Sequence, residues 1–107
     1  GRERALALSR GLSQAAEQID AGERRAERLE STVRKSIRHL EVDYVMLASQ
    51  ATMTPIETLD RPAVLAAAVS VGGVRLIDNI AIDVIEGCFM PDRGLILDEP
   101  SRLGPLR

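Results

Sequence analysis

The chain is predicted to be an α+β protein: an antiparallel helical hairpin packed on a small antiparallel β-sheet. Three observations predict it. Two stretches near the N-terminus repeat apolar residues at helical spacing. Two apolar strand-like runs, Val64 to Val71 and Val74 to Ile77, are joined by Gly72-Gly73. Paired residues that accept positive φ match the twist of an antiparallel hairpin, so this junction reads as a tight turn. Helices come first and short strands follow, which is the order of a layered fold with segregated elements.

The first helix is expected over Glu3 to Ile19, where Ala5, Leu8, Leu12, Ala15, Ala16 and Ile19 form one stripe. Gly11 inside it costs about 1 kcal/mol relative to alanine, a cost that a close crossing with a neighbouring element would explain. Gly22 is a stop signal just past the stripe. The second helix is expected from Glu23 to about His39, with Ala26, Leu29, Val33, Ile37 and Leu40 stepping by three and four. Glu30 and Arg34 stand at i,i+4 in the favourable order for an ion pair. Glu23 begins the segment, and Arg34, Lys35, Arg38 and His39 end it, which complements the helix dipole. The short link at Ala21-Gly22 implies that the two helices run antiparallel.

Val42 to Ala48 is a strand by its valines and tyrosine. Ser49 to Pro62 is connector, because Thr52, Pro55, Asp60 and Pro62 punctuate it and a proline does not belong inside a central strand. The hairpin follows, although Ala66, Ala67 and Ala68 favour helix locally. Ile80 to Ile85 either extends the second arm past a bend at Asp78-Asn79 or forms another short strand. Residues 1–87 therefore read as one domain. From Cys88 the composition changes, and residues 88–107 read as an extension or docking arm. It carries a turn sequence at Pro91-Asp92-Arg93-Gly94 and an apolar triplet, Leu95-Ile96-Leu97, without an obvious partner inside the tail.

A chain of 107 residues is one ordinary domain, long enough to bury roughly two-thirds of its unfolded surface without a metal or disulfide staple. Tyr44 and Phe89 are its only aromatic residues, so its core must be built from Ala, Val, Leu and Ile. The net charge of −2 argues against a polyanionic partner. Residues 1–41 hold nine Lys/Arg against seven Asp/Glu, but the basic residues alternate with Glu along the helices instead of forming the concentrated face that nucleic acid requires. Cys88 is the only cysteine, which excludes an intrachain disulfide and fits a reducing compartment. No apolar run approaches the ~20 residues of a membrane span, and no signal-peptide pattern is recognised. A cytoplasmic location is expected.

No catalytic spacing is present: no phosphate loop, no paired-histidine metal site and no nucleophile elbow. No residue is assigned a catalytic or metal-binding role. His39 reads as a helix-end cation in preference to a general base, since no partner is visible. Cys88, beside Phe89, reads as a small buried apolar residue in preference to a reactive thiol. Ser9, Arg10 and Arg4 read as a solvated helix face in preference to a phosphate-contacting one. The polar trio Arg75, Asp78 and Asn79 leaves two readings open. Strand alternation sets Arg75 and Ile77 on one face, with Leu76 and Asp78 on the other. Either Arg75 or Asn79 faces a substrate cleft, or Arg75 pairs with Asp43 or Asp78 while Asp78 and Asn79 bond local backbone at a bend. Burial decides between them: a buried pair that loses Arg75 costs several kcal/mol.

Four segments stand in a telling order and spacing. They are ERALALSRGL at residues 3–12; the Ile19 to Gly22 stretch with its following charged helix; Val42-Asp43-Tyr44-Val45 with Thr52-Met53-Thr54-Pro55 after it; and Gly73-Val74-Arg75-Leu76-Ile77-Asp78-Asn79. Together they resemble the C-terminal domain of the pantothenate synthetase (pantoate–β-alanine ligase) family, over roughly residues 3 to 82. Val74 stands where that family usually has threonine, and Met46 and Ser49 stand where it often has acidic residues. The tail from Cys88 runs past the family's usual end.

The resemblance implies a parent enzyme of the coenzyme A pathway that joins pantoate to β-alanine. ATP adenylates the pantoate carboxylate and releases pyrophosphate; the β-alanine amine then displaces AMP. In that family the nucleotide signature, the magnesium site and the pantoate pocket belong to an N-terminal Rossmann-like nucleotide-binding domain, whose motifs this sequence does not contain. By resemblance the chain is a lid domain that hinges over the cleft. It is expected to be a fragment, not catalytic alone, and to bind no cofactor itself, with ATP and Mg belonging to the parent enzyme. Its expected partner is that N-terminal domain, with Arg75 and Asn79 as lid-face candidates. The alternative is a non-enzymatic interaction or dimerisation module, in which an exposed edge or the tail pairs with a second copy to give a homodimer.

Overall fold

The apolar stripe of the first segment becomes helix α1, Arg2–Asp20, in the computed structural model, which describes residues 2–92. Leu8, Leu12, Ala15, Ala16 and Ile19 are buried as the spacing predicts, while Ala5 is exposed and Ala7 is buried instead. The second helix, α2, spans Ala26–Ile37 and buries Ala26, Leu29, Val33 and Ile37. Ser36 Oγ donates to Ala7 O at 2.7 Å, and Thr32 Oγ1 lies 2.8 Å from Gln18 Oε1, so the end of α2 meets the first turns of α1 and the middle of α2 meets the end of α1. The pair is antiparallel.

Helix α2 starts three residues later than its sequence pattern predicts, because the chain before it is used for pairing. Leu59 N–H donates to Arg24 O at 2.7 Å and Ala26 N–H to Glu57 O at 2.9 Å, with Arg25 bridging Thr58. Arg25 is extended as a result, at φ −86° and ψ 125°. The helix ends at Ile37, where Leu40 N–H closes the last turn on Ile37 O at 2.8 Å.

Four strands follow: β1 Glu41–Ser49, β2 Ala63–Val71, β3 Val74–Ile85 and β4 Cys88–Pro91, paired antiparallel in the order β1-β2-β3-β4. Gly72 and Gly73 take φ of +56° and +84° and form the predicted two-residue turn, with Val71 facing Val74. β3 runs unbroken through Asp78 and Asn79, so the expected bend is not there. The first four residues of the tail form β4, turned back at Glu86-Gly87. The rest of the Pro91 to Gly94 turn and the Leu95-Ile96-Leu97 triplet lie outside the described residues. β2 is a strand despite its three alanines, because neighbours bond to it along both sides. Those pairings outweigh a local helix preference of a few tenths of a kcal/mol per residue.

Both helices cover one face of the sheet, α2 over β1 and α1 over β3 and β4. Between the layers lie Leu8, Leu12, Ile19, Leu29, Val33, Ile37, Leu47, Leu65, Val69 and Ile82, each at most 2% exposed. Each such side chain contributes about 1.5–3 kcal/mol by leaving water. Leu59, from the connector, joins this core, and Phe89 packs against its rim. The free edge of β1 is capped. Leu47 N–H donates to Glu30 Oε2 at 3.0 Å, Leu47 O accepts from Ile56 N–H at 3.0 Å, and Ser49 N–H donates to Thr54 O at 2.9 Å. The Glu30 carboxylate thus serves the sheet edge, which the expected i,i+4 pairing with Arg34 did not anticipate. Among the described residues, no helix is long and apolar enough to cross a membrane.

Candidate functional site

The sheet face turned away from the helices has no element over it among the described residues. The Gly72-Gly73 turn fixes which residues line it. Counting back from Val71 and Val74, Ser70 stands opposite Arg75, Ala68 opposite Ile77, Ala66 opposite Asn79 and Val64 opposite Ala81. β1 adds Tyr44 opposite Ala68 and Met46 opposite Ala66. A bulge at Asp43 breaks the register between Val42 and Tyr44. An extra residue re-aims side chains locally, and here it keeps Val42 against the core while Asp43 reaches Ser70 and Arg75.

Arg75 Nε donates to Asp43 Oδ2 at 3.0 Å, and Ser70 Oγ lies 2.9 and 3.1 Å from the two Asp43 oxygens, donating to the carboxylate. The Arg75 side chain is 60% exposed and that of Asp43 21%. Of the two partners the sequence suggested for Arg75, the structure selects Asp43. Asn79 is exposed on the same face, two cross-strand pairs along, which at strand spacing is roughly 13 Å from Arg75. Ile77, 56% exposed, stands between them. The structure thus sets the two candidates on one open face without bringing them together. Asp78 lies on the opposite face, and its Oδ1 accepts from Asn79 N–H at 2.8 Å, the local backbone bond expected of it.

This face carries a charged cluster at its hairpin end and small or apolar residues at its centre. It can cover another surface and offer a guanidinium to an anion. Among the described residues no group of three or more His, Cys, Asp or Glu is placed to hold a metal ion. Ser70 was not singled out from the sequence, but counting pairs outward from a two-residue turn at Gly72-Gly73 would have found it.

A shallow groove at the α1–α2 turn is lined by Gln18, Ala21, Gly22, Glu23, Arg24, Arg25 and Arg28. Its charges serve the turn itself. Arg24 Nη1 donates to Ile19 O at 2.9 Å and Glu23 O at 2.8 Å, and its guanidinium lies 4.5 Å over the Phe89 ring. The Glu23 carboxylate accepts from Arg25 N–H at 3.0 Å and Arg24 N–H at 3.1 Å. The Arg25 N–H bond foremost holds its carboxyl below the usual glutamate range, with the Arg24 N–H and the charges of Arg28 and Arg25 adding to it. In the connector just before β2, Arg61 donates to Asp60 at 2.6 and 3.0 Å, which lowers the Asp60 carboxyl. His39 is exposed just past α2, and Ser9 and Arg10 are exposed on α1. The side chain of Arg4 lies outside the described residues. Cys88 is exposed, against the expectation of burial: it sits beside the β3–β4 turn opposite Ile85, and its neighbour Phe89 takes the core side.

Residues 1–81 match the family model described as pantoate-beta-alanine ligase. Among curated relatives, the pantothenate synthetase of Syntrophus aciditrophicus (strain SB) is 44% identical over 81 residues, 73% of this chain and 28% of that protein. The pantothenate synthetase of Desulforapulum autotrophicum is 44% identical over 85 residues, 77% of this chain and 30% of that protein. That of Geobacillus thermodenitrificans (strain NG80-2) is 40% identical over 86 residues, 78% of this chain and 30% of that protein. The chain spans about three-tenths of the length of these relatives.

Proposed function

Because the chain belongs to the pantoate-beta-alanine ligase family, we propose that it forms the C-terminal lid domain of a pantothenate synthetase and acts only with the nucleotide-binding half of that enzyme. One observation carries the reading: a sheet with one face covered by helices and the other left open among the described residues, in a segment matching three-tenths of its relatives. Such a surface suits closing over a cleft better than chemistry of its own.

The reaction explains why a lid is useful. A carboxylate is a poor electrophile. Its oxygen attacks the α-phosphorus of ATP, pyrophosphate leaves, and the acyl carbon then carries AMP as a leaving group. The β-alanine amine attacks that carbon, and AMP departs with the bonding pair. Water would do the same wastefully, so closure that excludes it protects the acyl-adenylate. In this chain Arg75 would offer positive charge at the rim, Asn79 would offer an amide, and Ala66, Ala68 and Ile77 would make the dry centre. No group of three or more His, Cys, Asp or Glu among the described residues is placed to hold a metal ion, and ATP and magnesium are assigned to the nucleotide-binding half.

The test is complementation. The chain alone should form no AMP from pantoate, β-alanine and ATP above a buffer blank. Fused to a pantothenate synthetase lacking the matching segment, it should restore AMP release that depends on β-alanine. Turnover by the chain alone, or a folded fusion with no gain in β-alanine-dependent release, would defeat the reading.

A further inference from the structure

One edge of the sheet is only half covered. Ile82 to Ile85 of β3 pair with β4, and Asp92 N–H carries the pairing one step on, to Ala81 O at 2.8 Å. From Val74 to Ile80, no strand lies on that side among the described residues. Antiparallel neighbours alternate between residues that bond across a pair and residues that bond away from it. Val74 bonds toward β2 across the tight turn, and so do Leu76, Asp78 and Ile80. The backbone groups of Arg75 and Ile77 and the carbonyl of Asn79 therefore face the open side, as Ala81 O does, whereas Asn79 N–H is already held by the Asp78 carboxylate. An unpaired stretch of this kind is a template for another strand, and its exposed side chains include Val74 at 60% and Ile77 at 56%. β1, the opposite edge, is capped at Leu47 and Ser49 by Glu30 and the connector.

We propose that the open edge of β3 is a strand-addition site and that its occupant is the chain's own segment 93–99, which follows β4 directly. The register is already set at Asp92 opposite Ala81. Continued one residue at a time, it places Gly94 opposite Asn79, Leu95 opposite Asp78, Ile96 opposite Ile77, Leu97 opposite Leu76 and Asp98 opposite Arg75. Ile96 then covers exposed Ile77 on the outer face. Leu97 joins half-buried Leu76 on the core side. Asp98 stands beside the 60%-exposed guanidinium of Arg75. A slip of one residue would reverse every face and lose all three matches. The occupant is tethered at the first residue of the site, so its effective concentration is high and no second molecule is needed. The family match ends at residue 81. The part of β3 that pairs with β4, β4 itself and segment 93–99 therefore lie beyond it, while the open edge from Val74 to Ile80 lies within it and shares Arg75 and Ile77 with the lid reading.

Amide hydrogen exchange by NMR tests it, comparing the full 107-residue chain with one ending at Asp92. The amides of Arg75 and Ile77 should be slowed at least about tenfold in the full chain and released in the shorter one. Those of Leu76 and Asp78, bonded to β2, should stay protected in both and so report an intact fold. Unprotected Arg75 and Ile77 amides in the full chain would overturn the proposal, as would protection that survives the truncation. Protection that grows with protein concentration would assign the edge to a second copy and overturn it too. If the shorter chain does not fold, Ile96→Pro in the full chain removes the N–H that should bond Ile77 O. The same two amides should then be released, and no change would overturn the proposal.

Discussion

A Cβ added at Gly11 would stand 2.9 Å from Ser36 Cβ and 3.2 Å from Val33 Cα and O, so the two helices cross where α1 lacks a side chain. Gly11→Ala therefore sets two effects against each other. Alanine gains about 1 kcal/mol of helix propensity, while forcing a methyl group into a filled contact costs about 1–3 kcal/mol. The contact is with backbone as well as side chain, and the Ser36–Ala7 bond lies beside it, so overpacking should win. Urea unfolding should show a net loss of about 1 kcal/mol, and a stabilised variant would contradict the close crossing. Arg75 behaves differently from a buried ion-pair partner. With its side chain 60% exposed, its pair with Asp43 is a surface pair, worth at most about 1 kcal/mol. Arg75→Ala should shift the thermal midpoint only slightly, and a loss of several kcal/mol would show that the pair is shielded more than the geometry indicates.

At the scale of elements, the junctions carry the specificity. The α1–α2 turn is held by Arg24 on the Ile19 carbonyl and by Glu23 on the Arg24 and Arg25 amides. The Glu23 carboxyl is lowered from its ordinary 4.5, first by the Arg25 N–H. A carboxyl that is more acidic when folded stabilises the fold fully above its unfolded pKa, and that contribution fades as pH falls through the folded value. Glu23→Gln should thus flatten stability against pH just below 4.5 and leave the neutral-side slope unchanged. Urea midpoints taken across that window check it, and parallel curves for both proteins would show that Glu23 does not titrate differently in the two states. Across the molecule, Glu30 joins α2 to the edge of β1 through Leu47 N–H, so one carboxylate both blunts a strand edge and ties helix to sheet.

At the scale of the whole molecule, the described residues share one core and both layers own it. Leu12 and Leu29 from the helices meet Leu47, Leu65 and Ile82 from the sheet. Neither the helix pair nor the meander can keep its apolar face dry alone, so unfolding should be a single transition. Leu12→Ala should lower stability by about 2–5 kcal/mol. It should move the far-ultraviolet helix signal and Tyr44 fluorescence by the same amount, although Tyr44 lies on the other face of the sheet. Two separated transitions would mean that the layers fold independently.

The sequence by itself determined those features that depend on a few adjacent residues. Apolar spacing located both helices, Gly72-Gly73 located the hairpin, and the register that follows puts Ser70 across from Arg75. The four family segments were also legible, since they are strings of residues. Tertiary structure decided how distant groups satisfy one another. Residues 57–59 claim the chain before Ala26 and delay α2; Glu30 turns to Leu47 instead of Arg34; the bulge at Asp43 delivers a carboxylate to Arg75; and Cys88 ends up in solvent while Phe89 takes the core side. Ala66 to Ala68 become strand because β2 is bonded on both sides, which no local propensity reports. The physical reason is the same throughout. Periodicity and turn chemistry act over one or two turns of chain, whereas the partner of a backbone amide and the face that meets water are settled by segments tens of residues away.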